Sequence, residues 1–84
     1  MTYKSYKLRN NVGFWRNRLF GYMTQEAFAE KIGISRQHLS EIENEKIEPK
    51  AILAIYIIEL IREFDPAIKY SDVFWIEKKE NEAE

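Results

Sequence analysis

The chain has 84 residues, no cysteine, one histidine and a formal charge of −1 from 13 basic and 14 acidic side chains. That length holds one small domain, near the lower size at which a single core is stable without staples. The missing cysteines exclude disulfides and thiolate metal sites, and the longest apolar run, residues 51–58, is too short to span a bilayer.

The charge is polarised along the chain. Residues 1–20 contain Lys4, Lys7, Arg9, Arg16 and Arg18 and no acid, whereas residues 51–84 carry eight acidic and four basic groups. The opening MTYKSYKLRNN lacks an apolar stretch, so no signal peptide is expected and a cytoplasmic location is the default. Residues 1–6 read as a mobile basic arm, residues 7–76 as the folded domain and residues 77–84, EKKENEAE, as an acidic frayed tail.

Leu8, Val12, Trp15 and Leu19 recur at near-helical spacing and predict a first helix from Lys7 to Phe20, with Gly21 and Tyr22 as the loop after it. The next stretch, TQEAFAEKIGISRQHLSEIENEKIEP, is residues 24–49. Thr24 suits an N-cap, and Ala27, Phe28, Lys31 (by its stem) and Ile32 fall on one helical stripe. Ala29 stands where a facing helix must approach closely. Gly33 marks a helix end that needs a residue at positive φ. Ile34 anchors the turn, and Ser35 caps a third helix to about Asn44, with Leu39 and Ile42 turned inward. Two short helices around one glycine turn make a helix-turn-helix, a shape that enters the DNA major groove.

A fourth helix opens near Pro49 and runs through AILAIYIIELIREF until Asp65-Pro66 stops it. Ile52, Ile55, Tyr56, Ile58, Leu60 and Ile61 make it apolar on more than one face. A short fifth helix is expected near Tyr70 to Phe74. The apolar surplus of the last two helices exceeds what so small a core buries, which predicts a homodimer through Tyr70, Phe74, Trp75 and Ile76, the alternative being that Trp75 folds back onto its own domain as a lid.

At about 100° per residue, Arg36, Gln37, Ser40, Glu41 and Asn44 share the outer face of the third helix, opposite Leu39 and Ile42. Arg36 has the fork that bonds guanine O6 and N7, and Gln37 matches adenine N6 and N7. Glu41 suits cytosine N4, or excludes wrong sites by repulsion. His38 lies towards the flank, a surface or phosphate-edge residue rather than a base reader. A lone histidine without carboxylate or thiol neighbours gives no basis for a metal, a cofactor or catalysis, so no enzyme is expected.

On Thr24, Gln25, Ala29, Gly33, Ser35, Leu39, Ile42, Glu43, Asn44 and Pro49, the stretch from Val12 to about Trp75 resembles the small lambda-repressor-like regulators (Cro/C1-type, also called XRE-type). The resemblance implies an all-α, compact five-helix domain, usually dimeric, that binds operator DNA as a transcriptional regulator. It implies base contacts by Arg36, Gln37 and Glu41, with Ser40 beside them on the same face. It implies phosphate contacts by Gln25 and Asn44, and Thr24, Ser35, His38 and Lys46 are expected with them. It also implies that Glu43 pairs with an arginine of the first helix, either Arg16 or Arg18. The chain departs from the family at Glu45, where a glycine is usual, and a different loop shape is expected there.

Two functions follow. One is a dimeric DNA-binding regulator, with repression the expected direction and double-stranded operator DNA the partner. The other is a protein-interaction module on the same scaffold, an antitoxin or adaptor whose acidic C-terminal half meets a basic partner.

Overall fold

The computed structural model describes residues 2–80, in the order β1 (Tyr6–Asn10), α1 (Val12–Leu19), α2 (Gln25–Ile32), α3 (Arg36–Glu43), α4 (Ala51–Phe64) and β2 (Phe74–Lys78). The expected all-α, five-helix architecture is therefore corrected: the described residues hold four α-helices and a two-stranded antiparallel sheet. Single 3-10 turns at Tyr3–Ser5 and Tyr70–Asp72 precede the two strands.

The two strands that replace the ends of the expected helices have one physical origin. Tyr6 pairs with Lys78, Leu8 with Ile76 and Asn10 with Phe74. Each strand needs a partner almost the whole chain away, so neither shows a local signal of pairing. The first predicted helix breaks at Asn10-Asn11. There the Asn10 side chain accepts from the Val12 amide at 3.0 Å, and the Asn11 amide donates to the Val73 carbonyl at 3.1 Å. The predicted fifth helix survives only as the turn at Tyr70–Asp72, because Phe74, Trp75 and Ile76 are residues that favour a pleated, half-buried surface. Residues 2–6, read as an arm, hold the first 3-10 turn and the start of β1; Ser5 is buried and its carbonyl accepts from Lys79 at 2.8 Å. Glu77 and Lys78 of the expected tail belong to β2, and residues 81–84 lie outside the described residues.

The core joins all helices to the sheet. Val12, Phe28, Leu39, Ile42, Ile57, Ile61 and Val73 are completely buried, each apolar side chain contributing roughly 1.5–3 kcal/mol by leaving water. Helix α4 buries Ile57, Ile58, Leu60 and Ile61 and leaves Ile52, Ile55 and Tyr56 exposed, the two-faced pattern read in its sequence. Ala27, placed on the inward stripe of α2, lies exposed instead.

Candidate nucleic-acid interface

The two helices at residues 24–44 are built by their caps. The Thr24 hydroxyl accepts from the Ala27 amide at 3.1 Å and starts α2. Gly33 ends it at φ 100°, a left-handed conformation that a side chain would strain, and its amide donates to the Ala29 carbonyl at 2.8 Å. The Ser35 hydroxyl then accepts from the His38 amide at 3.0 Å and starts α3. Leu39 and Ile42 are fully buried, which fixes the rotation of α3 about its axis. With those two turned in, Arg36, Gln37 and Asn44 are exposed, and Ser40, Glu41 and His38 are half-buried. Asn44 donates from Nδ2 to the Ser40 hydroxyl at 3.3 Å.

A polar chain runs back from α3 into the body of the domain. Arg36 Nη1 donates to Gln25 Oε1 at 3.3 Å, and Gln25 Nε2 donates to Glu43 Oε1 at 2.9 Å. Glu43 in turn takes a two-pronged bond from Arg16, Nε to Oε2 at 2.8 Å and Nη2 to Oε1 at 3.0 Å. Arg16 also donates to the Met23 carbonyl at 2.6 Å. Of the two arginines offered by the sequence, Arg16 is thus the partner, while Arg18 lies over the Phe14 ring, 5.7 Å from its centroid. The pair is nearly dry, with the Arg16 and Glu43 side chains 12% and 7% exposed. Gly13 makes room for it, since a Cβ there would stand 3.1 Å from Glu43 Oε1.

The loop after α3 shows what sequence reasoning missed. Glu45 itself takes the left-handed conformation, φ 62°, so the backbone shape a glycine would supply is kept by a residue that pays about 1–2 kcal/mol for it. Its carboxylate is held from outside the motif: Oε2 accepts from Arg9 Nε at 2.8 Å and from the Asn10 amide at 2.9 Å. Burial pushes the Glu45 carboxyl up, but the Asn10 amide and the Arg9 guanidinium outweigh it and hold the group below the ordinary carboxylate value. Asn10 Nδ2 also satisfies the Ile42 carbonyl at 2.8 Å, and Glu48 Oε2 accepts from the Leu8 amide at 3.3 Å. Arg9, read as part of a basic N-terminal group, is engaged by Glu45 and by Glu77 of β2. The available signal was Glu45 itself, an acid where the motif normally has glycine; its partner lay 36 residues upstream.

The residues expected at a dimer contact do not share one environment. Phe74 is buried in the core of its own chain, Trp75 is half-buried and donates from Nε1 to the Asp72 carbonyl at 3.0 Å, and Tyr70 and Ile76 are exposed. Tyr70 donates its hydroxyl to Glu59 of α4, and Arg62 lies over its ring. Among the described residues no cluster of three or more His, Asp or Glu suits a metal, and no helix is long and apolar enough to cross a membrane.

Comparison with known proteins agrees with this geometry. The sequence profile of the helix-turn-helix family matches residues 21–62. A curated protein of Bacillus subtilis (strain 168), named uncharacterized HTH-type transcriptional regulator YgzD, is 35% identical over 72 residues, covering 86% of this chain and 98% of its own length. No solved structure matches the chain.

Proposed function

The chain belongs to the Cro/C1-type helix-turn-helix family of transcriptional regulators, and we propose that it represses transcription by binding a specific operator as a homodimer. DNA binding and transcriptional regulation are the family's activity. The finer reading rests on one observation: α3 presents Arg36 and Gln37 on an exposed polar face while Leu39 and Ile42 lock its rotation. In this reading Arg36, Gln37, Ser40 and Glu41 meet base edges. Thr24, Gln25, Ser35, His38, Asn44 and Lys46 line the phosphates on either side.

The exposed stripe Ile52, Ile55 and Tyr56 on α4, with Ile76 on β2, supports the dimer, because large solvent-facing apolar groups at helical spacing are stabilised by a second apolar surface. A two-fold dimer sets its recognition helices roughly 34–36 Å apart, one turn of duplex. Sedimentation at micromolar concentration is expected to give a dimer, and Ile52→Asp, at a site 81% exposed in the protomer, a folded monomer. A wild-type monomer at that concentration contradicts the dimer.

Binding to DNA is expected to weaken linearly in log–log form as salt rises, since docked basic groups release counterions from the duplex. A folded protein that binds no duplex at low salt would instead support the protein-interaction module, with a basic partner at the acidic C-terminal half.

A further inference from the structure

We propose that Arg9 is a positioning residue for DNA binding, which acts by pairing with the Glu45 carboxylate so that the loop after α3 meets the phosphate backbone without a free negative charge. The proposal rests on the DNA-binding reading of α3 and deepens it.

Three observations carry it. In the DNA-binding reading Asn44, which follows α3, and Lys46 line phosphates, so the residues just beyond Asn44 come close to the duplex backbone. Glu45 is the first of them, and a bare carboxylate there repels the duplex. The structure does not leave it bare: Arg9 Nε and the Asn10 amide converge on one oxygen of Glu45 from β1, at 2.8 and 2.9 Å. Arg9 is itself fixed from the far side by Glu77 of β2. Arg9 and Lys7 both favour the charged form of the Glu45 carboxylate, and Arg9 bonds it directly. Strand β1 thus offsets the charge that Glu45 brings to a position where a glycine would bring none.

The test uses the full chain and a mixed-sequence DNA duplex, because the electrostatic part of binding is independent of sequence. Affinity is measured across a salt series for wild type, Arg9→Gln, Glu45→Gly and the double variant, with circular dichroism melts as the folding control. Glycine suits the φ of 62° and removes the charge. Arg9→Gln is expected to weaken binding roughly five-fold or more at low salt, the effect of one unscreened like charge near a phosphate. Glu45→Gly is expected to bind at least as tightly as wild type, and to restore the affinity lost by Arg9→Gln when the two are combined.

A double variant as weak as Arg9→Gln alone overturns the proposal, since it makes Arg9 a direct phosphate ligand. Equal affinity of wild type and Arg9→Gln overturns it as well. Should Arg9→Gln fail to fold, the Glu45→Gly arm decides, and weaker binding by that folded variant overturns the proposal. Wild-type protein that binds no duplex at all removes the DNA-binding reading itself, an outcome distinct from these.

Discussion

Replacing Arg16 by alanine is expected to destabilise the domain by about 3–5 kcal/mol, the range for breaking one partner of a buried ion pair. The magnitude follows from what is left behind. Glu43 is 7% exposed and accepts two bonds from Arg16 and one from Gln25. Without the guanidinium, the carboxylate keeps a single amide donor in a place water barely reaches, and the Met23 carbonyl loses its donor too. Small domains are stable by only about 5–15 kcal/mol, so the loss is a large fraction of the total. At roughly 4–8 °C per kcal/mol for a chain this size, the melting temperature should fall by about 12 °C or more. Replacing both partners by apolar residues, Arg16→Met with Glu43→Leu, should recover much of it, because the desolvation penalty disappears with the charges. A drop of only a few degrees in Arg16→Ala would mean that the pair is solvated.

The second large effect is expected on recognition. Arg36→Ala should weaken binding to the selected operator by about 1–3 kcal/mol, roughly five- to 150-fold, and relax the preference at one base pair. Its effect on a mixed-sequence duplex should be smaller, since a base contact is lost there only by chance. Arg36 is exposed yet not free, being bonded to Gln25, which is bonded to Glu43. This chain of contacts pre-orients the guanidinium before DNA arrives and reduces the side-chain entropy lost on docking. Gln25→Ala should therefore weaken operator binding with little change in melting temperature, because Glu43 keeps its two bonds from Arg16. Binding measured by titration against operator and mixed duplex separates the two roles. Equal losses on both duplexes in Arg36→Ala would make Arg36 a phosphate ligand.

What the sequence disclosed was the part whose determinants are local. Thr24, Gly33 and Ser35 define caps within a few residues of the groups they bond, and Leu39 and Ile42 show their inward direction by spacing alone. The sheet was hidden because Tyr6 and Lys78 stand at opposite ends of the chain. Leu8, moreover, fits a helical stripe with Val12 and Trp15 as well as it fits a strand. The choice between Arg16 and Arg18 depended on the loop after α1, where Gly21 and Tyr22 are both left-handed, φ 66° and 65°, a turn that residue types alone did not specify. Glu45 was visible as an exception to the family pattern. That its carboxylate closes a contact with β1 required the fold.

Whether α3 reads a specific operator is decided by selection of bound sites from a random duplex pool near physiological salt. Wild type and Arg36→Ala/Gln37→Ala should be run side by side after both are shown to be folded. Wild type is expected to enrich a two-fold symmetric sequence that the double variant fails to enrich. A folded wild type that enriches nothing, or a double variant that enriches the same sequence, would rule out operator reading by Arg36 and Gln37 of α3.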